Sequence, residues 1–104
     1  MAPIGDQSVR TWGVLGVPTS AAAHWAGLEK GPAALRGAGL VDQLRAAGCD
    51  VVDHGDLSAT RWVPDRTDDR PNNWRAATGV IADSRVAIGD VLAGGHHPLV
   101  LGGD

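Results

Sequence analysis

Three short apolar runs, separated by segments with helical spacing, constrain the fold of this chain more than any other feature of its sequence. The runs are TWGVLGV (Thr11–Val17), the segment from Asp50 to His54 that Gly55 closes, and PLVL (98–101). Their centres are continuous aliphatic residues, which is typical of strands buried on both faces. Such strands alternating with helices predict a parallel sheet with helices on its faces, and so an α/β fold.

Two short helices are predicted between the first and second strands. Pro32 suits the first turn of a helix, and PAALRGAGL predicts one that ends near Gly37 or Gly39. LVDQLRAAG, from Leu40 to Gly48, predicts a second helix with an apolar stripe.

One long helix is predicted between the second and third strands, from about Trp74 to Ala93, with Asn72 or Asn73 as its N-cap. Residues 56–71 before it are rich in Asp, Arg and Pro and predict an irregular surface connection. The apolar stripe of this long helix follows steps of four and three residues: Ala77, Ile81, Ser84, Ile88 and Val91.

The handedness of the two crossovers predicts the strand order second, first, third, with helices on opposite faces. The loop Pro18–Gly31 and the loop that Gly102 begins then lie side by side at the carboxyl ends of the strands. Ligands of doubly wound sheets bind in that position. The residues predicted to form the rim of a pocket there are Ser20, His24, Gly102, Gly103 and Asp104.

Charge and cysteine content exclude several classes of protein. The formal net charge is −3 and the basic residues are scattered, which argues against binding to nucleic acid or to an anionic membrane surface. The single Cys49 cannot form an intrachain disulfide, as is usual in a reducing compartment. No signal-peptide pattern or long apolar run is present, so the sequence predicts a cytoplasmic protein.

Three stretches together resemble the arginase (ureohydrolase) family. They are GVPTSAAAHWAGLEKGPAALRGAGL, CDVVDHGDL and PLVLGGD. The order and spacing of Gly-Pro-x-x-Leu-Arg-x-Ala-Gly-Leu, x-Gly-Asp-Leu and Leu-Gly-Gly-Asp are specific, whereas LGGD alone is a weak signal. The resemblance covers most of residues 11–57 and 98–104, and residues 58–97 match only in type, as a variable loop before a long helix.

The resemblance implies a three-layer αβα sandwich of which only the first three strands are present here. It implies hydrolysis of a guanidinium-type C–N bond, in arginine or a related guanidine, by a hydroxide bridging two Mn²⁺ ions. The first metal ligand of the family is typically the His directly after Gly-Gly-Asp, and this sequence stops at Asp104. We therefore expect no metal ligand, no catalytic residue and no specific Mn²⁺ binding in these 104 residues, and no activity from this chain alone.

The same resemblance sets the expected domain organisation. Residues 1–10 are predicted to be a loose tail, and residues 11–104 the N-terminal portion of an arginase-like domain. Family members commonly form homo-oligomers. Within the first loop, the segment Ala21-Ala22-Ala23-His24-Trp25 departs from the polar and basic residues that well-known arginases carry there. The substrate is therefore left open among arginine, agmatine, another guanidine and a formimino compound.

The other polar residues that could suggest a site are interpreted as structural. His96 and His97 are adjacent on an extended segment, so their side chains point in opposite directions and they lie at the amino end of the third strand. Asp53, His54 and Asp56 are interpreted as a structural turn after the second strand. Cys49 is interpreted as a small core residue, because no partner base is visible.

Two alternatives from other classes stay open. One is a small Rossmann-like binding module that uses the first loop, although neither a phosphate-loop nor a Gly-x-Gly-x-x-Gly pattern is present. The other is a non-catalytic interaction subunit that docks on a full-length partner. The codons after position 104 discriminate between these alternatives and the metallohydrolase, because a His or Cys followed later by Asp-x-His-x-Asp indicates the metallohydrolase.

We also expect the isolated chain to be only marginally folded.

Overall fold

The computed structural model describes residues 10–64 and 73–103 of the protein. Most of the predicted tail, part of the irregular connection and Asp104 therefore lie outside the described residues. The elements, in chain order, are strand β1 (Thr11–Val17), a short 3-10 helix (Leu28–Lys30), helix α1 (Gly31–Gly37), helix α2 (Leu40–Ala46), strand β2 (Asp50–Asp56), helix α3 (Trp74–Ala93) and strand β3 (His97–Gly102).

The three strands form one parallel sheet in the order β2-β1-β3, as predicted from the handedness of the crossovers. β2 continues two residues beyond the predicted end, through Gly55 to Asp56. The pairing shifts between Val14 and Gly16, and Gly55 has φ 78°, a value that glycine adopts without strain. The expectation that Gly55 closes the strand was wrong, because an irregularity in the pairing accommodates it.

The two faces of the sheet are covered by different helices. Val14 belongs to a buried cluster with Val51 and Leu101, against which side chains of α2 pack. A Cβ built on Gly13 meets Val91 of α3, so the neighbouring position of β1 faces the opposite side. α1 and α2 therefore lie on one face and α3 on the other, which gives the αβα layering that the sequence predicted.

The break between α1 and α2 falls at Gly39, within the predicted region. Gly39 has φ 93°, a left-handed conformation that favours glycine, and this turns the chain into the next helix. Pro32 is buried in the first turn of α1, where its missing N–H costs nothing. Cys49 is half-buried and packs against the core cluster, in agreement with its interpretation as a core residue.

Helix α3 has the predicted bounds, but the predicted side-chain cap was wrong. Asn73 is the N-cap residue, yet its side chain donates to the Val63 carbonyl at 2.9 Å and makes no hydrogen bond to the start of the helix. Ile81, which belongs to the predicted apolar stripe, is 69% exposed. At 3.6 residues per turn it lies about 80° around the helix axis from the fully buried Val91, at the side of the packed face, where it borders a groove between α3 and the sheet. Across the described ranges, no helix is long and apolar enough to cross a membrane.

Candidate functional site

The loop after β1 crosses directly over the end of β3. A Cβ built on Gly103 would lie 1.9 Å from the Thr19 carbonyl oxygen and 2.8 Å from that of Leu28. A Cβ built on Gly31 would lie 2.9 Å from the Gly102 carbonyl oxygen. The absence of side chains at Gly31 and Gly103 therefore permits this close approach. The two loops lie side by side at the carboxyl edge of the sheet, as the strand order predicts.

Backbone hydrogen bonds hold the first loop against a segment that follows β2. The Ser20 N–H donates to the Thr60 carbonyl and the Thr60 N–H donates to the Pro18 carbonyl, each at 2.9 Å. The Trp62 N–H donates to Ser20 Oγ at 2.8 Å. Ser20 is fully buried, so its side chain fixes the conformation of the loop from inside.

A buried carboxylate completes this anchoring. Glu29 is 9% exposed, and its Oε2 accepts the Gly27 N–H at 2.7 Å. Arg61 Nε lies 3.6 Å from Glu29 Oε1. The hydrogen bond from the Ser20 side chain, aided by the Gly27 N–H and the charge of Arg61, holds the pKa of Glu29 below its ordinary value against the opposing effect of desolvation. Glu29 is therefore ionised at neutral pH and joins three segments of the carboxyl edge.

The predicted rim residues do not share one pocket. Gly102 and Gly103 line a groove of about 340 Å³ together with Thr19 and residues of α3. His24 is exposed and lines a separate, open cavity of about 610 Å³ formed by residues 23–28. Asp104, the remaining predicted rim residue, lies outside the described residues. The structure thus separates His24 from the two glycines and buries Ser20 between the loops.

An aromatic pair stands beside the His24 cavity. Trp25 is 77% exposed, and its ring centroid lies 6.3 Å from that of Trp62 with the planes tilted by 46°. The Trp62 Nε1 is buried without a hydrogen-bond partner among the described residues. This end of the loop therefore presents an aromatic surface, in contrast to the polar contacts that anchor its beginning.

Arg36 of α1 binds the end of β2. Its Nε and Nη2 donate to the two carboxylate oxygens of Asp53 at 3.0 and 2.9 Å, Nη1 donates to Asp56, and Nη2 also donates to the Gly55 carbonyl at 3.2 Å. The Arg36 hydrogen bond holds the pKa of Asp53 below its ordinary value, although desolvation opposes it. Asp53 and Asp56 therefore bind Arg36 from within β2, whereas a structural turn after the strand was predicted.

Sequence reasoning assigned no role to Glu29, Arg61 or Arg36. Arg36 does lie in the Gly-Pro-x-x-Leu-Arg pattern, which was the only available signal. Its partner Asp53 is 17 residues away along the chain, and one sequence does not show which of its acidic residues an arginine meets. In the sequence Glu29 is indistinguishable from an ordinary exposed loop carboxylate, because its burial depends on how the loop folds over the sheet.

The donor set of the described residues does not fit a dinuclear manganese centre. Nowhere in residues 10–64 and 73–103 do three or more His, Cys, Asp or Glu side chains come together in a way that could hold a metal ion. A two-ion site of hard carboxylate and imidazole ligands needs several such groups around one point.

Comparison with known proteins identifies the family. The sequence model of the Arginase family matches residues 10–104. Rat mitochondrial Arginase-2 is 40% identical over 103 residues, covering 94% of this chain and 28% of that protein. Bovine Arginase-1 is 38% identical over 96 residues, covering 88% of this chain and 29% of that protein. The chain belongs to the arginase family.

Solved structures agree with this assignment. The crystal structure of arginase from Bacillus cereus matches with a TM-score of 0.75 and 28% identity, and that from Bacillus subtilis with a TM-score of 0.74 and 28% identity. Each comparison covers 91% of this chain and 30% of the solved chain. The chain thus spans less than a third of the length of the relatives it matches, and the parallel α/β architecture is the one found in arginases.

Proposed function

We propose that these residues belong to an arginase-family hydrolase that cleaves a guanidinium-type C–N bond, in arginine or a related guanidine, with a dinuclear manganese centre. The observation that carries the proposal is the family match along residues 10–104, combined with two loops in contact at the carboxyl edge of a parallel sheet. The metal, when bound in a complete protein, supplies a hydroxide nucleophile at neutral pH.

We propose that this part of the protein builds one wall of the pocket and holds no metal ion of that centre. His24, Gly102, Gly103 and Asp104 are the proposed rim residues, with His24 and the two glycines on separate parts of the rim because they line separate cavities. The buried Ser20 positions the loop that carries His24. The contacts of Ser20 with Thr60 and Trp62 support its positioning role. The 104-residue chain alone is proposed to be inactive.

The remaining properties of the proposed protein rest partly on the family, for the substrate class and the assembly, and partly on the sequence, for the localisation and the lack of nucleic-acid binding. It acts on a small guanidine-type molecule and not on nucleic acid or a membrane, it works in the cytoplasm, and it forms a homo-oligomer. The net charge of −3, with scattered basic residues, supports the small-molecule assignment over nucleic acid.

A chimera tests the proposal directly. These 104 residues replace the matching segment of the Bacillus subtilis arginase, and release of urea from arginine is measured with Mn²⁺ present. We expect the chimera to hydrolyse arginine, because the transplanted segment preserves the sheet and the loop contacts at its carboxyl edge. The 104-residue chain alone, assayed in parallel with Mn²⁺, should release no urea.

Two controls separate the possible failures. The parent arginase fixes the full rate, and circular dichroism of the chimera shows whether it is folded. A folded chimera that hydrolyses agmatine or another guanidine but not arginine would correct the substrate alone. A folded chimera with no activity on any guanidine or formimino compound would contradict the proposed function.

A further inference from the structure

Two histidines that play no part in the proposed pocket meet on the α3 face of the sheet. His54 of β2 and His96, which precedes β3, bring Nε2 and Nδ1 to 3.0 Å from each other. Their ring centroids are 5.2 Å apart and the rings meet edge to face at 64°. His54 is exposed and His96 is half-buried, so solvent ions reach the pair.

The backbone between the two histidines is shaped to let them meet. β1 runs between β2 and β3, and a Cβ built on Gly13 of β1 would lie 2.9 Å from His54 Nε2 and 2.6 Å from a methyl group of Val91. Because Gly13 has no side chain, the His54 ring lies across β1 and reaches His96. Any other residue at position 13 would displace that ring or Val91.

The position of His96 is also fixed by the backbone. Its N–H donates to the Val91 carbonyl at 3.2 Å, and the preceding Gly95 has φ 81° at the end of α3. His97, although adjacent, faces elsewhere: its ring lies 5.6 Å from that of Trp12. The prediction that the two histidines point in opposite directions is therefore confirmed, and the partner of His96 is His54.

We propose that His54 and His96 form a two-imidazole chelate for a divalent transition ion such as Zn²⁺, Ni²⁺ or Cu²⁺. Two nitrogens bound to one such ion at about 2.0–2.1 Å, in tetrahedral or octahedral geometry, lie about 2.9–3.4 Å apart. The observed separation of 3.0 Å falls within that span. Binding requires that the proton between the two nitrogens leave and that the rings tilt until both lone pairs aim at one point. Water fills the remaining coordination positions.

The ligand set also selects among metals. Imidazole suits Zn²⁺, Ni²⁺ and Cu²⁺, whereas Mn²⁺ lies at the weak end of the affinity order and prefers carboxylate oxygens. This site is therefore distinct in chemistry from the manganese centre proposed for the complete hydrolase. It does not depend on that proposal, because it uses only residues of this chain.

Nitrogen NMR of the histidine rings in the unmodified chain provides the main test. Titration with Zn²⁺ should move the resonances of His54 Nε2 and His96 Nδ1, because those two atoms become ligands. The rings of His24 and His97 serve as internal controls and should stay unchanged. Resonances that do not move, or that move equally in all four histidines, overturn the proposal and leave a shared N–H···N hydrogen bond as the role of the pair.

Matched variants give an independent measurement. We expect His54→Gln and His96→Gln each to weaken Zn²⁺ binding about 10-fold to 100-fold, since the second imidazole of a chelate binds intramolecularly. His97→Gln, the neighbouring exposed histidine, should leave the affinity unchanged. Mn²⁺ should bind the unmodified chain much more weakly than Zn²⁺. Equal affinity in the variants of the pair and in His97→Gln, or binding of Mn²⁺ as tight as that of Zn²⁺, would contradict the chelate.

Discussion

On the face of the sheet under α1 and α2 the central apolar side chains are buried, whereas α3 buries apolar side chains only at the centre of the opposite face. On the first face Val14, Val51 and Leu101 are all less than a tenth exposed, and Arg36 binds the end of β2. On the second face Val91 is buried, but Ile81 is 69% and Val100 41% exposed. The two faces therefore differ in how much of their apolar surface they remove from water.

The open part of the second face coincides with the edge of the sheet at β3. The groove of about 340 Å³ lies there, bordered by Val80, Ile81, Val100 and the end of β3. Among the described strands, β3 pairs with β1 alone and has no partner on its other side. Parallel sheets are usually covered on both faces, so this edge is where the packing of these residues is incomplete.

The largest expected effect of this difference is marginal stability of the isolated chain. At roughly 25 cal/mol per Å², about 200–400 Å² of apolar surface left in water forfeits on the order of 5–10 kcal/mol. Ordinary domains have a total stability of about 5–15 kcal/mol. The purified chain should therefore bind a hydrophobic dye and lose its circular dichroism signal over a broad temperature range.

A sharp, cooperative transition at high temperature from a monomeric chain would contradict this expectation. It would show that the α3 face is stable without further cover, and it would favour a self-sufficient binding module. Addition of sucrose, which favours compact states, provides the reference condition for comparing the variants below.

Gly103→Ala is expected to have the next largest effect. The new Cβ would stand 1.9 Å from the Thr19 carbonyl oxygen, and backbone atoms cannot rotate away as a flexible side chain does. We expect a loss of about 3 kcal/mol or more, measured by urea unfolding in sucrose. Gly102→Ala is the matched control, because its Cβ meets no described atom within 4 Å. Equal stabilities of the two variants would show that the loops are not in contact.

A pair of truncations compares the two faces directly. Val14→Ala removes methyl groups from a fully buried position and should cost about 2 kcal/mol. Ile81→Ala removes more carbon atoms from a position that is 69% exposed and should cost less than about 0.5 kcal/mol. Urea unfolding of both variants checks the order. A larger loss for Ile81→Ala would mean that the α3 face is the better packed of the two.

The smallest expected effect concerns pH and the face under α1 and α2. Arg36 holds the pKa of Asp53 below its ordinary value, so the stabilisation from this pair is complete above about pH 4 and is lost as the pH falls through the folded-state pKa. Arg36→Ala should lower stability at pH 7 by about 1 kcal/mol, since both groups are partly exposed. The difference between the two chains should shrink below pH 4. A difference that is constant from pH 7 to pH 3 would exclude the ion pair as its source.

Local pattern in the sequence was sufficient for the three strands, the three α-helices and their order, but not for the 3-10 helix Leu28–Lys30 within the predicted loop Pro18–Gly31 or for the end of β2. Continuous aliphatic runs predict buried strands, and the steps of three and four residues between Trp74 and Ala93 predict α3 with its observed bounds. The right-handedness of crossovers then restricts the sheet to the order β2-β1-β3. These features are recoverable because they depend on neighbouring residues and on a general rule of chirality.

The contacts that shape the candidate site were decided only by the tertiary structure. Ser20 was expected at a pocket rim, but its main-chain bonds to residue 60 turn it inward. Arg36 reaches Asp53, and His54 reaches His96 across Gly13, over separations of 17 and 42 residues. Such pairs depend on strand register, on the pairing irregularity in β2 and on the space above a glycine. The sequence by itself determined which segments form strands and helices, whereas long-range packing decided which side chains meet, because that depends on the relative positions of segments that the chain brings together only when it folds.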